Sequence, residues 1–249
     1  RDHRLPLPEP SRNMKPRLLK ILASATLLLS GLPTPAVAQQ PAAAQQQPET
    51  TLRILALPPR TEHPPLFLIQ EKAAVLPLET ASSRLTGPYQ AKAAKRWRFA
   101  LTATPAEANK PIPLVANCKS LPSAAEQLVV LIRKPGAETS YASFAMDISQ
   151  SALKGRQFLV INLSPTEIAG DIGGSRQAFP PGKLVTVSPK GNISSDLCHA
   201  AFFTGAPDGK WKPFFSTNWP LNDKIRGLVF FYQPPGSDKI LMHTITDFL

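Results

Sequence analysis

Residues 228–249 read LVFFYQPPGSDKILMHTITDFL. Leu228–Tyr232 is an unbroken apolar and aromatic run, residues 234–238 (PPGSD) supply turn chemistry, and Ile240–Phe248 forms a second run. This pattern predicts a β-hairpin. One hundred residues upstream, 128–148 reads LVVLIRKPGAETSYASFAMDI. Leu128/Leu228, Val129/Val229, Pro135/Pro235, Gly136/Gly236 and Asp147/Asp247 coincide without a gap. Ordinary residue frequencies would give about one or two identities over such a length. The hairpin therefore predicts a chain built from two copies of one β unit.

The echo extends on both sides of the hairpin. Leu57-Pro58-Pro59-Arg60-Thr61-Glu62 answers to Leu163-Ser164-Pro165-Thr166-Glu167, Lys110-Pro111-Ile112 to Lys212-Pro213-Phe214, and Asn117 to Asn218. At an offset of 101, Trp97 falls on Cys198 and Cys118 on Trp219. Both residue types bury well, so the exchange predicts two shared core positions. The two cysteines then belong to different copies. In an exported chain they form either a disulfide stapling the copies or two buried thiols, and the sequence leaves both open.

From Thr51 onward short apolar or alternating runs are separated by proline and glycine turns. The chain holds 28 prolines, which leaves little room for long helices, because an interior proline removes a hydrogen bond and clashes with the preceding turn. One helical turn is expected at Ser123–Gln127 and another at Ser149–Lys154. The expected fold is all-β: two tandem β-sandwich-like (Ig-like) units, 51–150 and 156–249, as an internal duplication.

Residues 1–13 read as an upstream segment. Residues 14–38 follow the grammar of a secretory signal peptide: Lys15, Arg17 and Lys20 as a positive head, Ile21–Leu32 as the apolar core, and Ala36-Val37-Ala38 as the cleavage site. The core is too short to span a bilayer, which takes about twenty apolar residues, so no transmembrane span is expected after cleavage. Residues 39–50, rich in Gln, Ala and Pro, read as a flexible tether. The expected location is periplasmic or extracellular.

The chain carries 28 Lys+Arg against 17 Asp+Glu. Residues 39–249 keep 22 of the bases and 15 of the acids, a net of +7. Such an excess favours anionic partners, here an anionic envelope polymer or another envelope protein. The bases are scattered, and the densest cluster is Lys92, Lys95, Arg96 and Arg98. A nucleic-acid binder concentrates its charge on one surface, so no nucleic acid is expected.

Candidate chemistry is sparse. His63, His199 and His243 fall in separate segments. There is no Gly-x-Ser-x-Gly elbow, His-x-x-x-His, Cys-x-x-Cys or Asp-rich calcium loop. Cys198-His199, adjacent on a strand, point to opposite faces and do not make a dyad. Gly170–Arg176 (GDIGGSR) lacks the Lys-Ser/Thr ending of a phosphate loop and reads as a hairpin turn. No catalytic residue, metal ligand or cofactor is expected. Trp211, between Lys210 and Lys212 in a turn-rich stretch, stands as the candidate ligand-contact aromatic.

Phe158–Gly174 (FLVINLSPTEIAGDIGG), followed by Phe179-Pro180-Pro181-Gly182, resembles exported all-β bacterial proteins of uncharacterised function. In these, a strand ending Asn-Leu-Ser/Thr-Pro precedes a Gly-rich hairpin and a Pro-Gly turn. The resemblance implies a fold and a compartment and carries no activity. The leading expectation is an exported non-catalytic envelope or periplasmic binding or structural protein. The alternatives are a hydrolase with its site between the two units, around His199 or His243, and an adhesin or assembly subunit using exposed edge strands.

Overall fold

A computed structural model describes residues 48–249 except 60, 71–73, 106, 108–109, 191–195, 206–209 and 235. The upstream segment, the signal peptide and most of the tether lie outside the described residues.

The described chain is all strand and turn. The first sandwich holds β1 (Glu49–Leu57), β2 (Leu66–Ile69), β3 (Val75–Leu78), β4 (Thr86–Lys92), β5 (Arg96–Ala100), β6 (Leu114–Lys119), β7 (Glu126–Arg133) and β8 (Tyr141–Asp147). The second holds β9 (Phe158–Asn162), β10 (Ile168–Ile172), β11 (Ser175–Phe179), β12 (Leu184–Val187), β13 (Leu197–Gly205), β14 (Trp211–Pro220), β15 (Ile225–Tyr232) and β16 (Leu241–Phe248). Their sheets are ordered β4-β1-β7-β8 with β3-β2-β5-β6, and β12-β9-β15-β16 with β11-β10-β13-β14. Adding eight to each strand number turns the first pair of sheets into the second. Both parallel pairings, β1 with β7 and β9 with β15, are kept.

Three cores explain why β1, β7, β9 and β15 are apolar at almost every position. Successive strand residues face opposite sides of a sheet. On β1, Leu52, Ile54 and Ala56 enter the core of the first sandwich, while Leu55 and Leu57 enter a central core. On β7, Val129 and Leu131 go one way, Leu128 and Val130 the other. The second sandwich does the same: Phe158, Val160, Val229 and Phe231 fill its own core, and Leu159, Ile161, Leu228 and Phe230 join the central one. The sheets therefore stack in four layers, and the two inner sheets are buried on both faces. Residues 51–150 and 156–249 share this central core and are not separately packed.

At the end of the central core four charged side chains form a closed ring. Arg53 Nε donates to Glu126 Oε1 (2.9 Å), Arg226 Nη2 to Glu126 Oε2 (3.3 Å), Arg226 Nε to Asp247 Oδ2 (2.7 Å), and Arg53 Nη1 to Asp247 Oδ1 (3.3 Å). Arg226 Nη1 also donates to the carbonyls of Ile148 and Leu153. Glu126 and Arg226 occupy equivalent positions of the two sandwiches. Contact between equivalents is what a two-fold arrangement produces on its axis.

The ladders correct one feature of the repeat. Leu128 pairs with Met146, but Leu228 pairs with Ile245. The second hairpin is one residue shorter through its turn, so the counterpart of Asp147 is Thr246. Asp247 takes the place of Ile148, and that shift supplies the second carboxylate of the ring. The offset of 106 between Leu57 and Leu163 does agree with the parallel ladders, which set Arg53 beside Leu128 and Leu159 beside Leu228.

The Trp/Cys exchange has a direct cause. Trp97 pairs across the ladder with Cys118, and Cys198 with Trp219. Each outer sheet places one large and one small residue on two adjacent strands, and either order fills the same volume. Trp97 Nε1 donates to Gln127 Oε1 (2.9 Å), and Gln127 also bonds the backbone of Leu121. Gly227 stands at the equivalent of Gln127, and a Cβ there would run into the Phe158 ring. The space goes instead to Phe158, which stacks on Trp219 at 4.9 Å.

Two strands were not expected, β4 and β11. β4 contains Gly87-Pro88 and β11 reads SRQAF. Both are edge strands, where proline is tolerated and one face needs no apolar residues. Glu126 and Gln127 belong to β7 and not to a helical turn. At Ser149–Lys154 a single turn closes, with Leu153 N donating to Ser149 O (2.8 Å), and no helix follows.

Candidate functional site

The sandwiches differ most along one flank. In the first, edge strand β6 lies against edge strand β8, bringing Ser143 to the Cys118 thiol. In the second, the equivalents β14 and β16 stand apart. A cleft of about 490 Å³ opens there, lined by Thr204, Phe214, Lys239, Ile240 and Leu241 among others. The cause lies in the hairpin lengths. β13 and β14 run for nine and ten residues, against five and six in β5 and β6. Both hairpins are bulged, at Val115 in the first, where Phe99 pairs with Ala116 and Ala100 with Leu114, and at Phe214 in the second, where Phe202 pairs with Phe215 and Phe203 with Pro213. Phe214 and Phe215 both end near the opening. Phe214 packs edge-on to Phe231 (5.9 Å), and Phe215 is 37% exposed.

Trp211 begins β14 opposite Gly205 and is 47% exposed. Its ladder partner Gly205 lines the edge of the cleft and shares the face of β13 that carries His199, so Trp211 stands on the outer face at the hairpin tip. The aromatic crowding of the last forty residues thus divides. Trp219, Phe230 and Phe231 are core, whereas Trp211 and Phe215 are surface. For Phe215 no spacing in the sequence marks this, because the absent covering strand decides it.

The histidines do not converge. His63 contacts Tyr141 Oη (3.4 Å), Pro58 O (3.3 Å) and Arg133 Nη2 (3.3 Å). Burial, with Arg133 beside it, lowers its pKa. His199 sits on the outer face of β13 against Asn218 Oδ1 (3.2 Å). His243 Nε2 donates to Ser82 O of the first sandwich (2.6 Å), and burial lowers its pKa. Among the described residues no histidine contacts a carboxylate, and no three His, Cys, Asp or Glu side chains group as a metal site would.

Cys118 and Cys198 are free and buried, in the first and second cores on either side of the central one. The bridge that the sequence left open is not formed. Burial pushes the Cys118 thiol up to about 11 and raises that of Cys198, so neither is a ready nucleophile.

Gly173 and Gly174, with φ of 54° and 77°, turn the β10–β11 hairpin. Two positive φ values in a two-residue loop make a type I′ turn. Asp171 caps it by accepting from Gly174 N (2.9 Å) and pairing with Arg176 (2.8 Å). Asn162, inside a glycosylation-like triplet, is fully buried. Its amide donates to Thr166 O and Phe179 O while its oxygen accepts from Ser164. That makes it an internal clamp. The second such triplet, at 192–194, lies outside the described residues. No helix among the described residues is long and apolar enough to cross a membrane.

Comparison of the chain with protein-family models and with curated proteins gave no match.

Proposed function

We propose that the protein is an exported, non-catalytic binding module of the cell envelope, engaging its partner through the second sandwich. The observation that carries this is where apolar surface is left open. Leu184, Leu197, Trp211, Phe215, Leu241 and Phe248 are exposed on strands of the second sandwich, against Leu114 on the first. Of these, Trp211 and Phe215 lie on β14 and Leu241 on β16, the two strands that border the open flank, and an open apolar cleft is where a partner is expected to bind. Export is supported by the signal-peptide grammar of residues 14–38. The basic surplus supports an anionic partner, either an envelope polymer or an acidic face of another envelope protein.

An assembly subunit that recruits a partner strand is the second reading, favoured by the two unpaired edges facing across the open flank. The hydrolase reading has no comparable support. Aliphatic side chains and the ion-pair ring occupy the contact between the sandwiches, and His243 is held by a backbone carbonyl.

The test is retention of the purified chain on isolated bacterial envelopes, compared with a Trp211→Ala/Phe215→Ala variant. At least tenfold weaker retention with an unchanged unfolding midpoint is expected. Equal retention of the two proteins would sink the reading.

A further inference from the structure

The free edge of β16 is the wall of the flank whose backbone still lacks a partner. Leu249 N donates to Lys224 O (2.9 Å), which fixes the phase of the β15–β16 ladder. Residues 241, 243, 245 and 247 then bond to β15, and Met242, Thr244, Thr246 and Phe248 turn N–H and C=O outward. No proline interrupts them. β14 is different. Leu221 N donates to Asp196 O (2.8 Å), which puts Pro213 and Pro220 at outward positions and leaves Ser216 and Asn218 between them. Natural edges are blunted in this way. One edge of the flank is protected and the other is not.

The side chains around β16 define a slot. Toward the outer sheet, Met242 packs on the second core, the Thr244 hydroxyl is buried without a partner, and Thr246 and Phe248 are exposed. On the other side, β16 lies over β1 through the Arg53–Asp247 pair. β4 flanks β1 on the side away from β7, so it overhangs the free edge of β16. The face of β4 turned that way, Pro88, Gln90 and Lys92, is exposed. Phe214 and Ile240 border the slot's Met242 end, and the exposed face of β4 borders its Phe248 end. A second copy cannot enter it edge to edge. Two-fold pairing of antiparallel edges keeps both first sandwiches on the same side of the sheet, where the overhanging β4 strands would collide.

We propose that this slot receives one extended segment of a partner polypeptide, which adds to β16 as the fifth strand of its sheet. Alternate apolar side chains of the segment lie toward Phe214 and Met242, and polar ones between them face the exposed side of β4. Backbone pairing supplies affinity and the alternate pockets supply selectivity. The proposal rests on the binding reading above and names its ligand.

The probe is the peptide acetyl-Val-Glu-Val-Glu-Ile-Glu-Val-amide, with the same peptide N-methylated at alternate backbone nitrogens, which cannot pair with an edge strand, as control. Amide hydrogen exchange of Thr244 and Thr246 is followed by NMR, alongside affinity. The unmodified peptide is expected to slow exchange at both amides and to bind at least tenfold more tightly than the N-methylated one. Thr246→Pro removes an outward N–H that β15 does not use, and should weaken binding at least tenfold. Ser216→Pro, on the opposite edge, should leave it unchanged. Phe248→Pro serves in place of Thr246→Pro if that variant unfolds. Unprotected Thr244 and Thr246 amides at saturating peptide, full affinity in the proline variants, or dimerisation through this edge would each overturn the proposal. Loss of envelope retention in Trp211→Ala/Phe215→Ala with peptide binding intact separates the two readings, since it leaves the slot standing.

Discussion

The first sandwich is closed where the second is open, although the two have the same strand order. β6 rests against β8, while β14 diverges from β16 and exposes part of the core behind it. The difference goes with hairpin length, not with topology or with a bulge, which both outer hairpins carry. Repetition has preserved the ladders and the volumes between them while side-chain identity drifted. Trp and Cys trade strands, Gln127 becomes Gly227 with Phe158 filling the space, and Glu126 meets Arg226 across the local two-fold. A repeat is thus held by what each position must fill or pair. One copy can then release a flank for binding while the other closes it.

The largest effect on this comparison should come from the charged ring, which both sandwiches share. Arg226→Met takes away the nearer of the two arginines on Asp247, which is only 5% exposed, and leaves it Arg53 at 3.3 Å; it also frees the Ile148 and Leu153 carbonyls. A buried charge left with no partner costs about 3–5 kcal/mol; with Arg53 still in place the loss, read as a shift in the denaturant midpoint, is expected at or below the lower end of that range. Arg226→Met combined with Asp247→Leu should recover most of that loss. Next come exchanges between the copies at one site. Gly227→Gln forces a side chain into the Phe158 ring and should cost about 1–3 kcal/mol by overpacking. Gln127→Gly orphans the Trp97 N–H and the Leu121 backbone groups and should cost about 1–3 kcal/mol. If either exchange is neutral, the two sites are not the alternative packings described above.

Smaller effects concern ionisation. With the Cys118 thiol held near 11 and that of Cys198 raised, both should resist a thiol reagent at pH 8 until the protein unfolds. Fast labelling of the native state would contradict their burial. His63 and His243 have pKa values lowered by burial. The unfolded chain therefore binds protons first as the pH falls through the ordinary histidine range. Their contribution to stability is complete above about 6.5 and is lost as the pH drops toward the folded-state values. Unfolding free energies between pH 8 and 5.5 should slope downward, and less so in His243→Gln.

The all-β, two-unit architecture was legible because short apolar runs such as FLVIN and LVVLI are bounded by proline and glycine turns and echoed in the hairpin; the core shared by the two inner sheets was not. The Asp147/Asp247 match was misleading, since a one-residue change in the turn shifts every later position to the other face. That is why the carboxylate of the ring could not be placed from identity alone. The flank was not legible either. Phe214-Phe215 has the composition of core, and only the missing neighbour puts it at an opening. Trp211 stood out through its lysine-flanked, turn-rich setting, a local signal that needs no tertiary information.

Native-state amide hydrogen exchange tests the account most directly, because it reads the shared core and the open flank together. The account predicts that β1, β7, β9 and β15 exchange with one common, global free energy, while β16 exchanges faster than its closed counterpart β8. Separate opening of the two sandwiches, or equal protection of β8 and β16, would contradict it.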